Sequence, residues 1–152
     1  MKKEESFPDI CVKDSYQLDK IEVFLLEGYR YKDLCCVRKG DIVLDCGAYT
    51  GNSALFFANQ AGSEGKIYAF ELNPANFDEL IKNIKAADSP DLAPVIPAPK
   101  GVFDIKTSVA IECWRDYAPA TKISGVKEDG AEENVIPLDD FVAENRLEKW
   151  IL

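Results

Sequence analysis

Two carboxylates and a pair of glycines carry the chemistry to be expected of this chain. The stretch Ile42-Val43-Leu44-Asp45-Cys46-Gly47-Ala48-Tyr49-Thr50-Gly51-Asn52 is an apolar run that ends in an acid and then turns through two glycines. A second apolar run, KIYAFEL at 66–72, holds another acid, Glu71. Strand, glycine turn and helix together form a common cofactor receptor in α/β proteins, and spacing separates the kinds of turn. The phosphate loop requires GxxxxGK[ST], which the sequence lacks. The dinucleotide fingerprint requires glycine at its first, third and sixth places, and from Gly47 these hold Gly47, Tyr49 and Asn52. The middle glycine lets the backbone approach a pyrophosphate, and a tyrosine obstructs that approach. What remains is Asp45-x-Gly47-x-x-x-Gly51, a wider turn suited to a nucleoside-type ligand without phosphates. Plainer readings stand beside this one. Glycines after a strand often serve only to turn the chain, Asp45 would serve as a helix cap, and Glu71 as one surface carboxylate among many.

Other chemistries are narrowed by composition. The 152 residues include no histidine, which excludes histidine-dependent triads and HExxH zinc sites. Acid–base work would fall to carboxylates, lysine, tyrosine or cysteine. With 18 Lys+Arg against 27 Asp+Glu, the net charge of −9 argues against a nucleic-acid backbone or an anionic membrane as partner. No apolar run approaches the roughly 20 residues that span a bilayer. The N-terminus turns acidic where a signal peptide turns apolar. Five cysteines without CxxC spacing read as reduced thiols in a cytoplasmic protein, several of them buried, with no zinc site and no disulfide. Adjacent Cys35 and Cys36 suit burial better than a redox pair. Cys46 reads as a small apolar residue ending a strand rather than a nucleophile. Trp114 and Trp150 read as core or interface aromatics, and the acids between 128 and 133 as a solvated turn.

The elements that position the two acids follow from periodicity. Residues 15–27 place Leu18, Ile21, Leu25 and Leu26 near one helical face, with Gly28 as a stop. A buried strand is expected over 41–46, a helix over 53–61, a second strand over 66–72 with Glu71 at its end, and a helix from Asn73-Pro74 to about Ala87. The stretch SPDLAPVIPAPKG offers a stiff linker or an edge strand near 93–98, where missing N–H donors are tolerated. The edge strand is preferred, because the remaining chain is short for an independent domain. An antiparallel pair is expected from 109–114 and 122–126, and a last helix from Pro137 that carries Leu138, Phe141, Val142 and Leu147. The alternation β-α-β-α implies parallel strands with right-handed crossovers.

S-adenosylmethionine meets the demands of such a turn. Its amino-acid end needs backbone groups and an acid, supplied at Asp45, and its ribose diol needs a second acid, supplied by Glu71 at the second strand's end. Leu72 would pack on the adenine. The segments GDIVLDCGAYTGNSALFFA, KIYAFELNPANFDELIKNI, VIPAPKGVFD and VIPLDDFV resemble, in this order and spacing, the FkbM-type methyltransferases. The resemblance spans roughly residues 40–147. It implies a Rossmann-like class I methyltransferase sheet of order 3-2-1-4, with S-adenosylmethionine as cofactor and transfer of its methyl group to a hydroxyl of a sugar or other small molecule. It places the cofactor on Asp45, Gly47, Ala48, Tyr49, Gly51, Asn52, Glu71, Leu72 and Asn73, and sets Lys100-Gly101 where the third strand is left. Tyr49 stands where the family usually has asparagine. The family's next segment, K-x-D-x-E-G-x-E-like, has no counterpart before Leu152, so no catalytic residue is named and the sheet is expected to be truncated before its fourth central strand.

These readings give a single, partial domain over 1–152: a helical lead-in at 1–39, a βαβαβ cofactor-binding core at 40–104, and a β-hairpin with a C-terminal helix at 105–152. The rival to an enzyme is a non-catalytic nucleoside-binding or protein-interaction module that kept the fold; a dinucleotide oxidoreductase ranks third because of Tyr49. A small-molecule acceptor is the implied partner. The strand over 41–46 would present an open edge, and a homodimer across it is expected in preference to self-coverage by Trp150-Ile151-Leu152 or residues 109–126.

Overall fold

Parallel pairing brings the two acid-bearing strands to one level. The computed structural model describes residues 36–87, 89–113, 121–126 and 134–152, with 23, 26, 28–32 and 34 before them. Strands β1 (Ile42–Cys46), β2 (Lys66–Phe70) and β3 (Val95–Ala98) form a sheet of order β1-β2-β3 in which both pairings are parallel. Ile42 lies opposite Lys66 and Cys46 opposite Phe70. The two strands therefore end side by side, which sets the turn after β1 next to Glu71. Helix α1 (Asn52–Ala61) connects β1 to β2, and helix α2 (Pro74–Ala86) connects β2 to β3.

Both faces of this sheet are covered, as parallel strands require. Side chains alternate along each strand. Val43, Ile67 and Ala69 join a core with Ala54, Phe56, Ala58 and Leu80 from the helices. Leu44, Tyr68 and Phe70 face the other way, onto Ile136 and the partly buried Phe141. The Phe141 ring stands edge-on to Tyr68 at 5.0 Å and to Phe70 at 4.8 Å. Helix α1 buries most of its circumference, from Asn52 through Ala58 and again at Ala61, which is why NSALFFANQA carries no charge. Helix α2 is capped by the Asn73 side chain, which accepts from the Ala75 N–H, and Pro74 follows at its first turn.

Several boundaries differ from the sequence expectation. Strand β1 starts at Ile42, and α1 already includes Asn52. Strand β2 ends at Phe70, so Glu71 follows the strand and does not close it. The Glu71 N–H still donates to the Ala98 carbonyl, yet its carboxylate accepts from the Asn73 N–H and bends the chain into α2. The proline-rich stretch is the expected edge strand, with Pro97 opposite Ala69. The expected antiparallel pair is present as β5 (Val109–Cys113) with β6 (Thr121–Val126), and its register shifts between Ala110 and Ile111. A parallel pair that the pattern did not reveal joins β4 (Gly101–Val102) to β7 (Val135–Ile136). It ties the expected core at 40–104 to the segment at 105–152. Helix α3 (Leu138–Glu144) leaves Leu147 beyond its end.

The outer edge of β1 carries a partner at one position. Ile151 lies parallel to Val43, donates its N–H to the Ile42 carbonyl at 2.9 Å and accepts from the Leu44 N–H at 2.9 Å. The full row of groups expected to lack partners is thus partly filled by the chain itself. Cys46, expected as a buried strand end, is exposed. Of the expected helix over 15–27, only Val23 and Leu26 fall among the described residues; Cys11, Cys35, Trp114 and the acids between 128 and 133 lie outside them. Among the described residues no helix is long and apolar enough to cross a membrane, and no group of three His, Cys, Asp or Glu could hold a metal ion.

Candidate functional site

The turn after β1 is built from backbone conformations that few side chains favour. Gly47 and Gly51 have φ of +87° and +96°. A Cβ at Gly51 would lie 2.6 Å from the Leu80 side chain, so this glycine also permits α2 to approach. Tyr49 sits between them at φ +52° although it has a Cβ, a conformation that costs about 1–2 kcal/mol. Three neighbours hold the turn in place. The Phe70 carbonyl accepts from the Gly47 and Ala48 N–H groups at 2.9 and 2.8 Å. Glu71 Oε2 accepts from the Tyr49 N–H at 2.9 Å, and Asn83 Nδ2 donates to the Thr50 carbonyl at 2.8 Å.

Both acids are buried, in different circumstances. Asp45 Oδ2 accepts from Ser53 Oγ at 2.8 Å, its only side-chain hydrogen bond among the described residues, and Oδ1 is left for another donor. Burial pushes the Asp45 carboxyl up to about 6; the Ser53 hydrogen bond opposes the rise and the Glu71 charge adds to it. The exposed Cys46 follows, its thiol pushed up to about 11 by desolvation round the sulfur and then by the Asp45 charge. Glu71 is engaged throughout. Besides Tyr49 it accepts from the Asn73 N–H at 2.8 Å and from Asn76 Nδ2 at 3.4 Å.

A cavity of about 260 Å³ opens over the turn, lined by Gly47, Ala48, Tyr49, Asn52, Ser53 and, from the segment before β1, Val23, Gly28 and Tyr29. Asn52 Oδ1 is buried here without a hydrogen-bond partner, the one such side-chain atom among the described residues. A buried carbonyl oxygen without a donor costs about 1–3 kcal/mol, and a ligand that supplies the donor removes that cost. Helix α1 also begins at this cavity with no side-chain cap, which leaves its first N–H groups open to an anion. Acceptors for an ammonium thus lie beside donors for a carboxylate, the pattern that an amino-acid end requires.

Of the sequence-derived residues, Asp45, Gly47, Ala48, Tyr49, Gly51 and Asn52 all lie in this turn or at the start of α1, with Glu71 and Asn73 bound to it or next in line. Leu72 is half-buried and packs near Gly101, where a Cβ would meet its Cδ2 at 3.1 Å. Ser53, Asn76 and Asn83 were missed. A signal for the last two was present: 76, 80 and 83 fall on one face of α2, and all three are buried there. Tyr29 and Val23 left no local signal, since only the folded chain brings them over the turn.

The methyltransferase FkbM domain model matches residues 45–149 of this chain. Among curated proteins none matches. Similar solved structures include fibrillarin from Aeropyrum pernix with bound S-adenosyl-L-methionine, at 23% identity and a TM-score of 0.40, covering 54% of this chain and 32% of that one. A SAM-dependent O-methyltransferase from Thermotoga maritima is 20% identical with a TM-score of 0.40, covering 62% of this chain and 33% of its own. A SAM-dependent methyltransferase from Aquifex aeolicus is 15% identical with a TM-score of 0.41, covering 68% and 54%. The chain thus spans between a third and about half of each of these structures.

Proposed function

Because the chain belongs to the methyltransferase FkbM domain family, we propose that it holds S-adenosylmethionine over the 45–53 turn and serves in methyl transfer to a hydroxyl oxygen of a small molecule or sugar. The observation that carries this reading is the pair of acceptors left without donors, Asn52 Oδ1 and Asp45 Oδ1, beside the uncapped start of α1. They suit the ammonium and carboxylate of the cofactor's methionine end. Glu71 would take the ribose hydroxyls on lone pairs that its three present donors leave over, since a carboxylate offers about four acceptor sites. Leu72 and Asn73 would border the adenine. When bound, the cofactor supplies a methyl group already activated on a sulfonium. The chain's part is to bind and orient it, because positioning supplies most of what such a transfer needs.

The rival reading, a nucleoside-binding or interaction module without catalysis, is favoured by one observation: Glu71 is already occupied by the protein's own donors. Titration calorimetry with S-adenosylhomocysteine tests the reading. Wild type should bind it in preference to NAD, and Glu71→Ala or Asp45→Ala should each weaken binding by about 1–3 kcal/mol. Preference for NAD, or equal binding by wild type and both variants, would overturn it. Methylation of a hydroxyl acceptor by this chain or a longer one containing it separates the enzyme from the module.

A further inference from the structure

The opposite end of β1 from Asp45 carries a second arrangement, independent of the cofactor reading. A cleft of about 500 Å³ opens there, between the turn into β1 and the bend that follows α3. Lys39 and Asp41 line it from the first, and Arg146, Glu148, Lys149 and Trp150 from the second. Three cations and two acids thus share the lining, in a chain whose net charge is −9. One acid is partly engaged, since Asp41 Oδ2 accepts from the Arg38 N–H at 2.8 Å. The cations are less committed. Arg146 and Lys149 are exposed and have no ion pair or side-chain hydrogen bond among the described residues. Lys39 Nζ donates to the Asn59 carbonyl at 3.1 Å, which leaves further N–H groups on the same ammonium.

The backbone adds donors of its own. The N–H groups of Glu148, Lys149 and Trp150 have no acceptor among the described residues. Successive N–H groups in a bend form a concavity that binds anions. Arg146 leads into this bend at φ +53°, directly after Asn145, the C-cap of α3. Glycine is the usual residue at such a position, and a side chain there costs about 1–2 kcal/mol. The backbone alone therefore favours glycine at 146, and the cleft gives the reason for an arginine. Its planar fork of donors matches the oxygens of a phosphate.

We propose that this cleft is a phosphate-binding site, in which Arg146 and Lys149 hold the phosphate oxygens, Lys39 supplies a further donor, and the 148–150 backbone cradles the group. The ligand is a compact dianion, either free phosphate or the phosphate of a small metabolite. Five residues of β1 separate this end of the strand from Asp45, so the site is distinct from the 45–53 turn.

The test titrates inorganic phosphate into the ¹⁵N-labelled protein at constant ionic strength, with chloride as the balancing salt. The Glu148, Lys149 and Trp150 amides should shift saturably, with half-saturation at about 1 mM or below. Arg146→Gly should raise the half-saturating concentration about tenfold, because it removes a charge-assisted pair of hydrogen bonds. The same variant should raise the urea midpoint, since glycine adopts the conformation at 146 without strain. Lys149→Gln should weaken binding about threefold, as expected of an exposed charge. Loss of binding together with a gain in stability is an outcome that a merely structural Arg146 would not give. Shifts that do not saturate, or equal binding by wild type and Arg146→Gly, overturn the proposal. So do shifts centred on the Gly47–Asn52 amides, which would assign the anion to the start of α1. Glycerol 3-phosphate separates the two sources: tighter binding than inorganic phosphate supports a metabolite's phosphate, and equal or weaker binding supports the free ion.

Discussion

The ends of β1 and β2 stand side by side, each with a buried acid, and they differ in what those acids still lack. At the end of β2, Glu71 has taken two backbone N–H groups and an amide from its own chain. At the end of β1, Asp45 has one hydroxyl, and nearby Asn52 has an oxygen with none. The first acid is part of the framework. It joins the turn after β1 to the start of α2, so that one strand end holds the other. The second is poised, with acceptors in place and donors missing. A turn assembled this way keeps its shape through one carboxylate and leaves hydrogen-bonding capacity in the other.

The largest effect should come from breaking the framework. Glu71→Ala removes a charged acceptor and leaves the Tyr49 and Asn73 N–H groups without it, at a cost of about 3 kcal/mol of stability. Urea denaturation measures this directly. Glu71→Gln should lose about half as much, since one amide oxygen can keep one of the two N–H bonds. A loss under about 1 kcal/mol in Glu71→Ala would place Glu71 with Asp45 and dissolve the contrast.

The poised acid should respond in the opposite direction. Folded Asp45 keeps its proton up to about 6, whereas an aspartate in water ordinarily loses it at 3.8. Between these values the folded state binds more protons than the unfolded state, so this contribution is fully present below the lower value and is lost as pH rises through about 6. The interval corresponds to about 3 kcal/mol at most. Asp45→Asn escapes the penalty and can still accept from Ser53. It should therefore be more stable than wild type by about 2 kcal/mol at pH 7.5, and by almost nothing at pH 4. Thermal melts of both proteins across this range check the sign. A variant less stable than wild type at pH 7.5 would show that the Asp45 charge is already paid for within the fold.

The smallest effect belongs to the outer edge of β1, which resembles the poised end more than the framework. Ile151→Pro removes the N–H that Ile42 accepts and should cost about 1 kcal/mol. The Leu44 carbonyl, which accepts from Cys46 Sγ at 3.8 Å, and the Cys46 N–H also face outward on that edge. We propose a second copy of the chain across this edge. Light scattering at micromolar concentration should then report a dimer, whereas a monomer with slow exchange at the Leu44 amide would mark coverage by Ile151 alone.

Much of the framework was legible in local pattern. The apolar runs of β1 and β2, the Asn73-Pro74 helix start and the glycines of the turn all act through near neighbours in the chain, so spacing alone reveals them. The register that levels Cys46 with Phe70 was not legible, because nothing within either strand fixes it. Nor was the β4–β7 pair, two residues on each side and more than thirty positions apart. Asp45 and Glu71 could be named from the sequence as equal candidates. Their different states could not, because hydrogen bonds across 22 positions and burial by α1 and α2 arise only when the chain has closed.

By itself, then, the sequence determined which residues would gather at the strand ends: acids, glycines and a capped helix impose local geometry wherever they stand. Tertiary structure decided which acid is satisfied and which waits, that Asn52 Oδ1 is buried without a donor, and that Tyr29 walls the cavity over the turn. The physical reason is that hydrogen-bond saturation and desolvation are properties of a closed environment. They depend on what the fold packs round a group and not on its neighbours in the chain.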